Sequence, residues 1–165
     1  MICGDIWDKF SVEDGILYKI GCGMSFAPAR YVASRCGHCT ATKPLMILLV
    51  EDYQSSRRAI ASFLRLAGYE VHEADNAERA CDLFQRKRFD VLITDYCLRG
   101  KANGLEVLNQ FKMITPGKQK FLITGLDPAV ARPQAEAIGA EFIEKPIPLD
   151  NLLRVIERFA DRSAE

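Results

Sequence analysis

From Leu45 onward, short apolar runs alternate five times with stretches of helical period, and this pattern constrains the fold more than any other feature of the chain. Leu45 to Val50 is a continuous apolar run, as expected of a strand buried on both faces. Ile60, Phe63, Leu64 and Ala67 then sit at i, i+3, i+4 and i+7, one face of a helix, and Gly68 behind them is a natural stop. Residues 69–73 form a second strand. Asp75 or Asn76 can cap a second helix whose inner face is Ala77, Ala80, Cys81 and Phe84. It ends in Arg86, Lys87 and Arg88, where cations suit the helix dipole. Strands follow at 91–94, 121–124 and 141–143. Between and after them lie a helix marked by Leu105, Leu108 and Phe111, an apolar-poor helix between Pro128 and Ile138, and a last helix carrying Leu149, Leu152, Leu153 and Ile156. Pro133 is expected in the first turn of the fourth helix, or to shorten it. Strand–helix alternation with right-handed crossovers gives an α/β fold, a doubly wound, five-stranded parallel sheet with helices on both faces.

The chain changes character near Pro44. Residues 1–43 sustain no helical period. Residues 16–20 could be a short strand, and Gly21, Gly23 and Pro28 then break the pattern. Four of the six cysteines lie here, at Cys3, Cys22, Cys36 and Cys39. The N-terminus has no basic region or apolar core of a signal peptide, so the cysteines read as thiols and the chain as cytoplasmic. Cys36-x-x-Cys39 could be half of a zinc site, with Cys3, Cys22 or His38 completing it, but a second Cys-x-x-Cys is absent, which argues against zinc. Gly21-x-Gly23 lacks the third glycine of a dinucleotide fingerprint, since Phe26 stands there. Met46 is an alternative start. The expected organisation is an extension at 1–43 without an independent fold, a domain at 44–161 and a tail at 162–165. Lys plus Arg and Asp plus Glu are 22 each, which argues against a binder of nucleic-acid backbones. The longest strongly apolar run, 45–50, is far too short to span a bilayer.

In such sheets, sites form outside the carboxyl ends of the strands. Glu51 and Asp52 follow the first strand, Asp95 the third, Thr124 closes the fourth before Gly125, and Glu144, Lys145 and Pro146 follow the fifth. Clustered carboxylates repel one another, and a hard divalent cation such as Mg²⁺ removes the conflict. A carboxylate can also attack phosphorus, giving an aspartyl-phosphate. Lys145 is then a suitable point charge for the transferred oxygens, and the Thr124 hydroxyl a suitable donor. Each residue alone has a plainer reading. Asp after a strand is usually a turn residue, Thr at a strand end a strand former, and Lys-Pro a loop. Their joint order carries the signal.

The stretches LLVED (48–52), AGYEV (67–71), FDVLITD (89–95), NGLEVL (103–108), FLITG (121–125) and EKP (144–146) resemble the receiver domain of bacterial two-component response regulators. The resemblance implies a flavodoxin-like, CheY-like sheet of order 2-1-3-4-5. It implies Asp95 as phosphoacceptor, and Glu51, Asp52, Asp95 and the Cys97 backbone carbonyl as the Mg²⁺ site, with Asp52 the more direct ligand of the acidic pair. Thr124 would be the switch hydroxyl, Phe142 the switch aromatic, and Lys145 the phosphate-binding lysine, with a cis bond to Pro146. The implied donor is a histidine kinase or histidine phosphotransfer protein, docking around Tyr53, Gln54, Arg57 and the Ile147 loop. Output would pass through the face of the fourth helix, fifth strand and fifth helix, also the face for a dimer. The chain ends just after the last helix, so no DNA-binding or enzymatic output is expected, and no direct nucleic-acid or membrane partner; the resemblance implies no catalysis beyond self-phosphorylation and slow dephosphorylation.

Three departures stand out. Gly100 replaces a usual Pro in a loop one residue longer than normal, which should alter stiffness more than chemistry. Position 97 is Cys. The fourth helix contains Pro133. Two other functions compete: an interaction module working without phosphorylation, and an Asp-nucleophile phosphohydrolase. The latter typically needs an acidic residue two positions after the nucleophile, where this chain has Cys97.

Overall fold

The computed structural model describes residues 10–13, 16–19 and 44–162. Strands β1 (Phe10–Glu13) and β2 (Ile16–Lys19) pair antiparallel, with Phe10 opposite Lys19 and Glu13 opposite Ile16. The strand expected near 16–20 is present, and its partner over 10–13 is an element the sequence pattern did not mark. The cysteine and glycine motifs at 21–39 lie outside the described residues.

The remaining elements run β3 (Met46–Val50), α1 (Gln54–Leu66), β4 (Glu70–Ala74), α2 (Ala77–Arg86), β5 (Val91–Asp95) and α3 (Gly104–Ile114). They continue with β6 (Gln119–Thr124), α4 (Pro128–Ile138), β7 (Glu141–Glu144) and α5 (Leu149–Arg162). The sheet order is β4-β3-β5-β6-β7, every pair parallel. Counted from the first strand of the sheet, that is the expected 2-1-3-4-5.

Alternation along the central strands sorts the core into two layers. Leu48, Val50, Leu92 and Leu122 face α2, α3 and α4, packing with Phe84, Val107, Leu108, Phe111, Ala135 and Ile138. Ile47, Leu49, Val91, Ile93, Phe121 and Ile123 face α1 and α5, packing with Ile60, Leu64, Leu152 and Ile156. Both faces of β3 and β5 are therefore apolar, which is why their sequences read as unbroken runs. The edge strand β7 is only partly covered.

Local chemistry sets the ends. Asn76 caps α2, its side chain accepting from the Arg79 N–H at 2.7 Å. Asn103 caps α3 in a reciprocal box with Glu106. Gly68, at φ 90, follows the end of α1 in the left-handed conformation that glycine tolerates. Cys81 is less buried than its inner-face neighbours and donates to Gln110 on α3. Pro133 is a correction: it lies in the sixth position of α4 and does not end it. Pro128 opens the first turn instead, capped by Asp127. Burial of Ala131, Ala135 and Ile138 on both sides of Pro133 holds the helix across the missing N–H.

Candidate functional site

Three backbone hydrogen bonds carry the sheet ladder just past its strands. Glu51 N–H donates to the Ala74 carbonyl at 3.1 Å, Tyr96 N–H to Ile123 at 3.0 Å, and Lys145 N–H to Thr124 at 2.9 Å. Parallel register then sets the C-terminal ends of β3, β5 and β6 side by side, with Val50 opposite Thr94 and Asp95 opposite Ile123. The first residues beyond these apolar runs are therefore neighbours in space although they lie far apart in sequence.

Glu51, Asp52 and Asp95 each present a carboxylate oxygen, and these oxygens lie within 4.8 Å of one another. Glu51 and Asp95 are buried, and Asp52 is half-buried. Lys145 crosses to them from beyond β7. Its Nζ stands 2.6 Å from Asp95 Oδ2 and 2.9 Å from Glu51 Oε2. Burial alone would pull the Lys145 pKa down; the hydrogen bonds it donates to Asp95 and Glu51, and their charges, outweigh this and hold it above its ordinary value. The Lys145–Pro146 peptide bond is cis, as expected.

Thr124 is buried at the end of β6, and its Oγ1 accepts from the Leu126 N–H at 3.1 Å. That bond uses an oxygen lone pair and leaves the hydroxyl proton to donate. Cys97 is exposed, and its N–H donates to Asp95 Oδ1 at 3.3 Å, so the turn after β5 folds residue 97 back against the carboxylate. Phe142 is half-buried on β7, and the Arg132 guanidinium stacks 4.7 Å above its ring centroid.

Gly104 lies against the site from behind. A Cβ there would lie 2.0 Å from the Asp95 carbonyl oxygen, so only glycine fits. Two further residues carry site geometry that sequence reasoning missed. Arg57, expected among the docking residues, also turns its guanidinium inward. It donates to the Glu51 carbonyl at 2.6 Å and pairs with Glu73 at 3.6 Å. Arg99 bonds Asp52 Oδ2 through Nε at 3.2 Å, so the unusual loop brings a charge to the pocket and bears on its chemistry. The only signal for either was a basic residue near an acidic motif, which is too common to single one out.

The donor set is all oxygen and anionic, which fits a hard divalent cation. Among the described residues, no helix is long and apolar enough to cross a membrane.

The family model of the response regulator receiver domain matches residues 47–157, the segment that builds this sheet and pocket. The chain belongs to that family. Among curated relatives of this receiver, the cyclic di-GMP phosphodiesterase of Thermotoga maritima is 36% identical over 112 residues. That match covers 67% of this chain and 29% of the relative. The response regulator receiver protein CpdR of Brucella abortus is 32% identical over 113 residues, covering 68% of this chain and 93% of CpdR. The chain thus spans nearly all of one relative and less than a third of the other. A CheY-like receiver domain protein from Methanospirillum hungatei superposes with a TM-score of 0.68 at 26% identity, over 73% of this chain and 96% of that one. CheY4, a chemotaxis response regulator of Vibrio cholerae, gives 0.64 at 28%, over 70% and 98%.

Proposed function

We propose that this receiver takes a phosphoryl group from a phosphohistidine onto Asp95 and signals by the resulting change of shape. One Asp95 oxygen forms a bond to phosphorus, and the P–N bond of the donor breaks. The leaving imidazole keeps the electron pair. The observation that carries this reading is Lys145 Nζ set between Asp95 Oδ2 and Glu51 Oε2 beside a third carboxylate. Such a charge is already in place for oxygens that gain negative charge during transfer, with no reorganisation needed. Asp52, Asp95, Glu51 and the Cys97 carbonyl would hold Mg²⁺, which when bound supplies the remaining charge neutralisation on the phosphoryl oxygens.

The Thr124 proton is free to turn toward a phosphoryl group on Asp95. As Thr124 moves, Phe142 follows inward and loses its contact with Arg132, worth about 0.5–1 kcal/mol at such a partly exposed site. The face formed by α4, β7 and α5 then changes its affinity for a partner. In this reading residues 44–161 are the signalling unit, and its direct contacts are a phosphodonor protein and a protein target.

The test is incubation with Mg²⁺ and acetyl phosphate, followed by intact mass. Wild type should gain one phosphoryl group. Asp95→Asn, or chelation of the metal, should abolish the gain. A folded wild type that stays unmodified refutes the proposal.

A further inference from the structure

We infer that Arg99 is a built-in counter-ion that occupies Asp52 until a divalent cation displaces it, and so sets how much Mg²⁺ the pocket needs. This deepens the receiver reading and rests on it. Among the described residues, two cations bond the three carboxylates. Lys145 covers Glu51 and Asp95, and Arg99 covers Asp52, with Nε 3.2 Å from Oδ2.

The two cations differ in how easily they leave. Lys145 is 29% exposed and bonds two carboxylates that are 3% and 8% exposed. Removing it would strand buried charge. The Arg99 side chain is 78% exposed and has water to go to, while Asp52 is 20% exposed. An incoming cation that uses Asp52 therefore displaces the guanidinium and leaves the ammonium in place.

Arg99 nonetheless does not reach Asp52 from a loose loop. Its backbone forms a parallel bridge with Asn76, the residue that caps α2. The next residue, Gly100, has φ 119, a conformation L side chains rarely adopt. Pinned on one side by the bridge and turned on the other by glycine, the main chain delivers the guanidinium over Asp52 at reduced entropic cost.

The test is Mg²⁺ titration by calorimetry at low salt, with folding checked by circular dichroism. Arg99→Ala should bind Mg²⁺ about two- to fivefold more tightly than wild type, the range for a partly exposed ion pair. Arg99→Lys should fall between the two, because Lys keeps the charge without the planar fork. Lys101→Ala removes an exposed charge from the same loop and should change affinity less. High salt should close the gap. Equal affinities for wild type and Arg99→Ala overturn the inference and leave the receiver reading intact. An equal gain in Lys101→Ala also overturns it, since net charge would then explain everything. If neither wild type nor variant takes up Mg²⁺, both fall.

Discussion

Replacing Gly104 by Ala should damage both the fold and Asp95, the proposed phosphoacceptor, because the two share one contact. The new Cβ would meet the Asp95 carbonyl oxygen at 2.0 Å, the Asp95 carbonyl carbon at 2.9 Å and Tyr96 Cα at 3.1 Å. The first gap is about 1.4 Å short of ordinary contact, which begins near 3.4 Å. All three atoms are backbone, so no side chain can swing aside. Retreat is also blocked from the other side, since Gly104 N–H donates to the Tyr96 carbonyl at 2.9 Å and Asn103 caps the same helix turn. The steric cost should reach about 3 kcal/mol, the upper end for overpacking. Ala also lowers the entropy of the unfolded chain and favours helix, worth at most about 1 kcal/mol in the opposite direction. Sterics win by about 2 kcal/mol, which lowers a urea midpoint by roughly 1 M. Because the atom struck belongs to Asp95, the folded fraction should also phosphorylate more slowly. Gly125→Ala is the control: a Cβ there meets nothing within 4 Å, so stability should stay within about 0.5 kcal/mol of wild type. A Gly104→Ala protein that unfolds at or above the wild-type midpoint would refute the packing argument.

Arg57→Ala should destabilise by about 2 kcal/mol, the scale of a hydrogen bond from a charged donor with limited solvent access. Arg57→Lys should recover less than half of this in urea melts, because one ammonium cannot span the Glu51 carbonyl and Glu73 as the guanidinium does. Lys120 gives a pH-dependent test. Burial first, and the nearby Lys112 charge second, hold its pKa below the ordinary 10.5. The folded chain therefore carries the charged form at a cost, full below the folded-state pKa and gone above 10.5. Lys120→Met also loses the Nζ bond to the Lys118 carbonyl at 2.8 Å, so the readout is the pH slope: its gain in denaturation midpoint over wild type should shrink as pH rises from 7 towards 10. A gain that stays constant over that range would show that burial of charge is not the cause.

The helices and strands were legible because burial imposes period, 2.0 residues on the strands and 3.6 on the helices. Even the two-faced core of β3 and β5 shows as runs without alternation. The Asn76 and Asn103 caps are local chemistry, readable from a few adjacent residues. Pro133 was misread because propensity is local, whereas burial of Ala131 and Ala135 is not. The clustering of Glu51, Asp52, Asp95 and Lys145 was legible through their places after the apolar runs, and the contacts of Arg57 and Arg99 were not. Both act on atoms reached only through folding: a main-chain carbonyl, and a carboxylate 47 residues away.

Taken alone, then, the amino-acid order determined the layered α/β fold and the edge of the sheet where acidic, hydroxyl and ammonium groups would gather. Tertiary structure decided which charges pair: Lys145 with Asp95 and Glu51, Arg99 with Asp52, and Arg57 with Glu73. The physical reason is range. Periodicity and capping depend on neighbours within a turn or two, whereas a salt bridge depends on ångström distances that exist only after the strands are in register.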